Sequence, residues 1–467
     1  MAKINTMMDM GRRSMMNSQT ALQTVGHNIA NKTTEGFSRQ RVEIVTAPSV
    51  SEGRLQMGNG ARAAQVTRVN NPYLDKQLQI ESGTLGYHTS QSDSLAKVEN
   101  IFNEQTNKGL NQYMIDFYNA FRELSNNPES STTRSIVVEA SQALAKDFQR
   151  VDTQLSHVQK DIDLQVKQTV QEINTMTTEV AKLNEKIAGI EIQGIPANDE
   201  RDRRDLLIKK LQEKIDIHTA DGDNGMVSLS TAGNALLVSG LDSMALSSQV
   251  DPRTQRTEVY FENGHSVPFN ITDRIRGGNL GGILEVRDKI VPDMQDKVNA
   301  LAQTFANEVN AAHVRGFDRS GKMGTVFFVI GSGEGGAAAN IELNQEIASD
   351  VTKIAAASRP GAPGDNGVAN VISSLQFKEN IDGSTMDDYY NAQVGRIGIL
   401  AARSNRSRET QEHVVQQVNT LRESVSGVSL DEEATRMIEY QKAFEASARL
   451  IRTADEMFET VLNLKRM

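Results

Sequence analysis

The residues best suited to chemistry are a glycine loop, seven histidines and one knot of charge. Residues 331–336, GSGEGG, fit the G-x-G-x-x-G spacing and follow the strand-like TVFFVI, as a nucleotide-binding fingerprint would. That fingerprint needs a helix directly after the loop, so that a pyrophosphate meets the free N–H groups of the first turn. AAANIELNQE follows instead, without an amphipathic period and without repeated strand–helix–strand units around it. The stretch reads as a plain glycine loop, and a nucleotide-binding enzyme using 331–336 is the weaker alternative. The histidines (His27, His88, His157, His218, His265, His313, His413) are dispersed, with no H-E-x-x-H pair, and read as structural or solvated. NDERDRRD at 198–205 could suggest a metal, but interleaved arginines at a helix start read as a solvated first turn matched to the helix dipole. No acid–base pair stands out among 60 acidic residues, and the absence of cysteine excludes a thiol nucleophile, cysteine–zinc sites and disulfides. The expectation is a protein that is not an enzyme, with no catalytic, cofactor or metal residue assigned.

Length and composition point to what such a chain does instead. At 467 residues it suggests about three units at ~150 residues each. Hydrophobic content is 38% and aromatic content 5% with no Trp, which is lean for a large enzyme but sufficient for long, thin helical packing. A net charge of −10 gives nothing to displace counterions from phosphates, so no nucleic-acid partner is expected. The longest apolar run, Val326 to Ile330, is far short of the roughly 20 residues that a bilayer needs. No membrane insertion is expected. The start, MAKINTMMDMGRRSMMNSQ, has no apolar h-region, so any export would bypass the general secretory route.

The elements are mostly helices. Ile4, Met8, Gly11, Met15, Ser18, Leu22, Val25 and Ile29 follow a 4-3 rhythm over nearly four heptads, a coiled-coil-like seam. Val42, Ile44 and Thr46 then alternate as a short strand would, and MGNGAR marks a turn. Pro72 can open a helix carrying Leu74, Leu78, Leu85, Leu95, Val98 and Phe102, and 110–124 forms another. From Val137 to Ile190 helical spacing holds for over 50 residues, a rod roughly 80 Å long at 1.5 Å per residue. After Ile217 the period changes to two, and Asn263-Gly264 between alternating arms is a strong hairpin signal. Helical spacing resumes at Ile290, 317–370 reads as Gly-rich loops and short strands, and helices return from about Met386.

The last helix, 430–464, carries two adjacent stripes. One is Leu430, Ala434, Met437, Gln441, Phe444, Ala448, Ile451, Asp455, Phe458 and Leu462; the other is Tyr440, Ala443, Ser447, Leu450, Ala454, Met457, Val461 and Leu464. Together they are wider than the roughly 100° of a surface helix. The spacing therefore predicts pairing with 4–29 and leaves the two termini as an unfinished interface, in want of further neighbours. The expected fold class is mainly α with a β insert: a long-helix bundle or coiled-coil body formed discontinuously from both termini, plus a small β domain. Its expected parts are 1–60 with 425–467 for assembly, 61–217 with 285–316 and 371–424 as a long-helix bundle, 218–284 as the β insert, and 317–370.

Several of these stretches carry a resemblance. ALQTVGHNIANKTTEGFSRQ resembles the signature of axial flagellar proteins, in its junction form with the FSRQ ending. GLNQYMIDFYNAFRELSNNPES, PANDERDRRDLLIKKLQEKIDI, GGNLGGILEVRD and SGVSLDEEATRMIEYQKAFEASARLIRTADEMFETVLNL are similar, in order, to blocks of the flagellar hook-associated protein 1 family. Rod and hook proteins share the terminal themes but lack the middle blocks. The resemblance implies an extracellular structural protein, a ring of subunits forming the first junction layer between hook and filament. It also implies type III export without cleavage and a chaperone on the C-terminal helix. Its neighbours would be the hook protein and the next junction protein. The middle is shorter than in the longest relatives, which implies that an extra outer domain is missing. A different secreted helical self-assembling or adhesin-like protein is the other reading.

Overall fold

The computed structural model describes residues 2–464 apart from 53–54, 103–107, 264–266 and 334. It begins with α1 (Ala2–Ala30) and a β-hairpin whose long arms are β1 (Gln40–Thr46) and β4 (Ala61–Arg68), with β2 (Val50–Glu52) and β3 (Leu55–Met57) paired toward the tip. A register shift between Glu43 and Ile44 bends the long arm. Then α2 (Pro72–Ile101) starts where the Asn71 side chain accepts from the Tyr73 N–H and Pro72 supplies a preset φ. After α3 (Leu110–Asn126) comes α4 (Ser131–Glu191), 61 residues and about 90 Å long, capped by the Ser130 hydroxyl. Its Val137, Leu144, Phe148, Val151, Leu155, Ile162 and Ile173 line one buried face.

α5 (Asn198–Lys214) returns alongside α4 and leads into two antiparallel sheets. The first holds β5 (Ile217–Asp221), β6 (Val227–Thr231), β7 (Ala235–Ser239) and β8 (Asp242–Ser243); the second holds β9 (Ala245–Val250), β10 (Thr257–Glu262) and β11 (Phe269–Asn270). The turn at Asn263-Gly264 lies outside the described residues, which omit 264–266. Asn174 and Asn184 of α4 tie both sheets to the rod: Asn174 bonds the Leu246 amide and carbonyl, and Asn184 donates to the Val227 and Gly240 carbonyls.

Strand structure in this insert ends at Asn270, earlier than the 284 that the alternating pattern suggested, because Gly278–Glu285 forms a helix, α6. Its Leu280, Ile283 and Leu284 are buried, and a Cβ on Gly282 would run into the Tyr87 carbonyl of α2, so glycine here permits close helix crossing. A π turn at Val286–Ile290 carries α6 into α7 (Val291–His313). Within that turn Arg287 is fully buried, bonded to Asp163 at 2.8 Å and Asp288 at 2.8 Å.

The segment after α7 contains β12 (Phe328–Ile330), α8 (Ala337–Asn340), β13 (Ile341–Leu343), α9 (Gln345–Ser349) and α10 (Gly367–Ser374). The 331–336 loop joins antiparallel strands through a helix of four residues, so it lacks the strand–loop–helix frame of a nucleotide site. Phe327 and Phe328 pack with Phe117, Phe121 and Phe305. His313 is sealed beside them: Nδ1 donates to the Thr325 carbonyl at 2.7 Å and Nε2 accepts from the Ala355 N–H at 2.9 Å. α11 (Met386–Ser426) then runs antiparallel to α2, and α12 (Leu430–Leu464) runs antiparallel to α1. One contiguous apolar core extends from Leu95 to Ala401 and, among the described residues, takes in none of α1, the β1–β4 hairpin or α12.

Candidate assembly interface

The α1–α12 pair is built on a heptad seam. On α1 the buried or half-buried line is Ile4, Met7, Gly11, Ser14, Ser18, Ala21, Val25 and Asn28; on α12 it is Glu433, Met437, Tyr440, Phe444, Ser447, Ile451, Ala454 and Phe458. Three contacts set the antiparallel register. Gly11 lies under Ile451, so close that an added Cβ would sit 2.7 Å from its Cγ1. The Ser447 hydroxyl donates to the Ser14 hydroxyl at 2.7 Å, and the Asn28 amide donates to the Glu433 carboxylate at 3.0 Å. Small side chains let the two axes approach, while Phe444, Ile451 and Phe458 supply the bulk.

The structure sorts the residues expected at this interface into two groups. Ile4, Val25, Met437, Phe444, Ile451 and Phe458 lie within the pair, whereas Met8, Met15, Leu22 and Ile29 flank the seam half-buried. The spacing pattern placed those four in the seam itself, but the partner helix faces Met7, Ser14, Ala21 and Asn28. Polar residues at half of the true positions hid the phase. Likewise neither predicted stripe of α12 is the seam: it draws Met437, Phe444, Ile451 and Phe458 from one, and Tyr440, Ser447 and Ala454 from the other. Leu430, Leu450, Met457, Val461 and Leu462 remain open, Met457 at 46% exposure. Ile438 at 58% and Met16 at 59% join them, although neither stood on a predicted stripe. The side chain of Leu464 lies outside the described residues.

Below this pair lies a joint that the spacing did not reveal. Asn28 also exchanges two bonds with the Gln40 backbone, both at 2.9 Å, fixing the end of α1 to the start of β1. Arg39 reaches Glu432 at 2.7 Å, and its N–H donates to the Ser426 carbonyl at 2.9 Å. The Ser38 N–H and the Arg68 guanidinium both bond Asp202, at 2.8 and 2.7 Å, and Arg68 also holds Asp205 at 2.9 Å. Arg422 closes the ring on Asp75 at 2.8 Å. The charged run 198–205 is therefore not a wholly solvated turn: Asp202 and Arg204 are buried and clasp the hairpin and the β5–β8 sheet. Burial pushes the Asp202 carboxyl up, against the pull of Arg68 and of the Ser38 N–H. The charged partners of this joint, such as Arg68 with Asp202 and Arg39 with Glu432, lie more than 130 residues apart and leave no local period. The available signal was polar: HNIANKTTEGFSRQ and NDERDRRD hold most of these groups.

Comparison with known proteins fits this geometry. The family model described as flagellar hook-associated protein FlgK helical domain matches residues 95–328, and that described as flagellar basal body rod FlgEFG protein C-terminal matches 422–464. Flagellar hook-associated protein 1 of Bacillus subtilis (strain 168) is 31% identical, covering 98% of this chain and 97% of its own. That of Escherichia coli (strain K12) is 24% identical over 96% of this chain and 97% of its own. The solved structure of the flagellar hook junction protein FlgK from Burkholderia pseudomallei shares the fold, with a TM-score of 0.68 at 17% identity over 75% of this chain and 100% of that one. The chain belongs to the flagellar hook-associated protein 1 family.

Proposed function

We propose that this chain is a structural subunit of the bacterial flagellum that builds the junction between hook and filament as a ring, through its terminal helix pair. The observation that carries the reading is α12 itself. It packs along α1, yet Leu430, Ile438, Leu450, Met457, Val461 and Leu462 stand open to solvent on it. These exposed apolar side chains, Leu450, Met457 and Val461 toward one flank of the seam and Ile438 on the other, suit burial against other copies of the chain on more than one side of α12. The hook protein on one side and the next junction protein on the other are its proposed axial neighbours. Before assembly, an export chaperone covers the same side chains while the chain passes uncleaved through the type III apparatus. In the free monomer the pair should open readily, because isolated helices are marginal in water and its seam is rich in Ser, Gly and Ala.

The test separates the seam from these exposed side chains. Ile438→Asp combined with Met457→Asp should leave the helix pair folded while abolishing ring formation and filament attachment. Phe444→Asp or Ile451→Asp should melt the pair and abolish assembly, with the body intact. Normal motility in the Ile438/Met457 variant would overturn the assignment. So would amide protection of residues 4–29 and 430–462 in the dilute monomer equal to that of α4.

A further inference from the structure

We propose that the free edge of β5 is a docking strip for another protein, which adds an extended, acidic segment to the sheet as a further strand. β5 is the outer strand of its sheet, whose order is β5-β6-β7-β8. The bonded pairs of its antiparallel ladder alternate, and the turn fixes their phase, because the Gly222 N–H donates to the Met226 carbonyl at 2.9 Å. Ala220 with Ser228 and His218 with Ser230 are then the bonded pairs of the register. Val227, opposite Asp221, agrees with this phase: its N–H and carbonyl both bond the Asn184 side chain. Ile217, Thr219 and Asp221 therefore turn their peptide groups away from β6. The Ile217 N–H is taken by the Gln212 side chain at 3.2 Å, while the Thr219 N–H and carbonyl have no partner among the described residues.

That edge opens on a cleft of about 620 Å³, bordered on another side by residues of α2. Ile217, His218 and Thr219 line it together; side chains alternate along a strand, so three consecutive residues meet one space through the strand's edge and not through a single face. The charge of the cleft is one-sided. Lys76 and Arg276 stand exposed on it without an ion pair among the described residues. His88 and His218 join them, with His88 Nδ1 buried and unpartnered. Asp216 is the carboxylate of the lining, and it already accepts from the Gln212 amide at 3.2 Å. Ile80, at 52% exposure, supplies apolar surface beside the cations. An unpaired strand edge is a template for main-chain hydrogen bonds, and a cationic rim favours carboxylates. The main chain then gives the affinity and the charge gives the choice of partner.

The test adds a blocked peptide of alternating Val and Glu to the dilute full-length chain, with a peptide of alternating Val and Lys as control. Hydrogen exchange resolved to single amides should find Thr219 fast in the free protein, between slower His218 and Ala220, and protected once the Val/Glu peptide binds. Affinity should favour that peptide by about tenfold, the effect of two partly exposed ion pairs. Thr219→Pro removes the outward N–H without touching the β5–β6 bonds and should weaken binding about fivefold. Lys76→Glu combined with Arg276→Glu should reverse the preference between the two peptides. Equal affinity for both, binding of neither, or binding that leaves Thr219 exchanging as before overturns the proposal. So does protection of Thr219 that rises with protein concentration alone, which would give the edge to a second copy. β5 lies outside the terminal helix pair, so these outcomes are independent of ring assembly.

Discussion

The body and the terminal helix pair solve the same problem, long antiparallel helices in contact, with different side chains. In the body, Phe117, Phe121, Phe148, Phe305, Phe327 and Phe328 interlock around α4 and α7, all essentially without exposed surface. In the pair, the buried positions are Ile4, Gly11, Ser18, Ala21, Thr24, Val25, Asn28, Glu433, Ser447 and Ala454, most of them small or polar. Burial of apolar area at roughly 25 cal/mol per Å² rewards the first set far more than the second. The body is a finished fold, and the pair is close-fitting but weakly held, with its larger apolar side chains partly turned outward. Under the proposed function, a subunit that finds its neighbours through this pair benefits from keeping its stability outside the part that assembles.

The sharpest way to test that difference is to damage each side alone. Phe305→Ala should cost the body about 3–5 kcal/mol, the usual range for a buried aromatic, and lower the main thermal transition followed by circular dichroism. If the same substitution equally loosened α12, body and pair would be one cooperative unit and the comparison would fail.

A second probe uses pH. Burial, with the positive charge of Arg134 nearby, holds the His313 imidazole down to about 4 from an ordinary 6.5. Between those values the unfolded chain binds more protons than the folded one, so stability rises with pH. The contribution is fully present above about pH 6.5 and fades as pH falls toward 4, by up to ~3 kcal/mol. Urea titrations across that window should show the body weakening, and His313→Gln should flatten the slope. Hydrogen exchange in the helix pair should not follow this change.

The smallest expected effect is at the seam. Gly11→Leu should pry the pair apart at a cost of about 1–3 kcal/mol, since Ile451 and Leu450 already fill the space a side chain would need. Exchange should accelerate across 440–458 while the Phe305 core is unchanged. An unaltered pair would mean that the Gly11–Ile451 approach does not set its spacing.

Several features are legible in the amino-acid order alone. The rod of α4, the short strand at 40–46, the change to period two after Ile217 and the amphipathic termini all follow from local spacing, which side-chain alternation along a helix or strand imposes directly. The apolar character of 430–464 likewise marks a helix in want of neighbours. Three things are decided only in three dimensions. The phase of the seam depends on which residues the partner helix faces, and at Ser14, Ala21 and Asn28 hydrophobicity does not mark them. The helical start of 278–285 depends on α2 lying close enough to need Gly282. The joint of Asn28, Arg39, Arg68, Asp202, Glu432 and Glu433 gathers charges from distant parts of the chain, and a charge in sequence carries no record of its partner. Periodicity reports how an element meets its surroundings, and only the packed chain determines which surroundings those are.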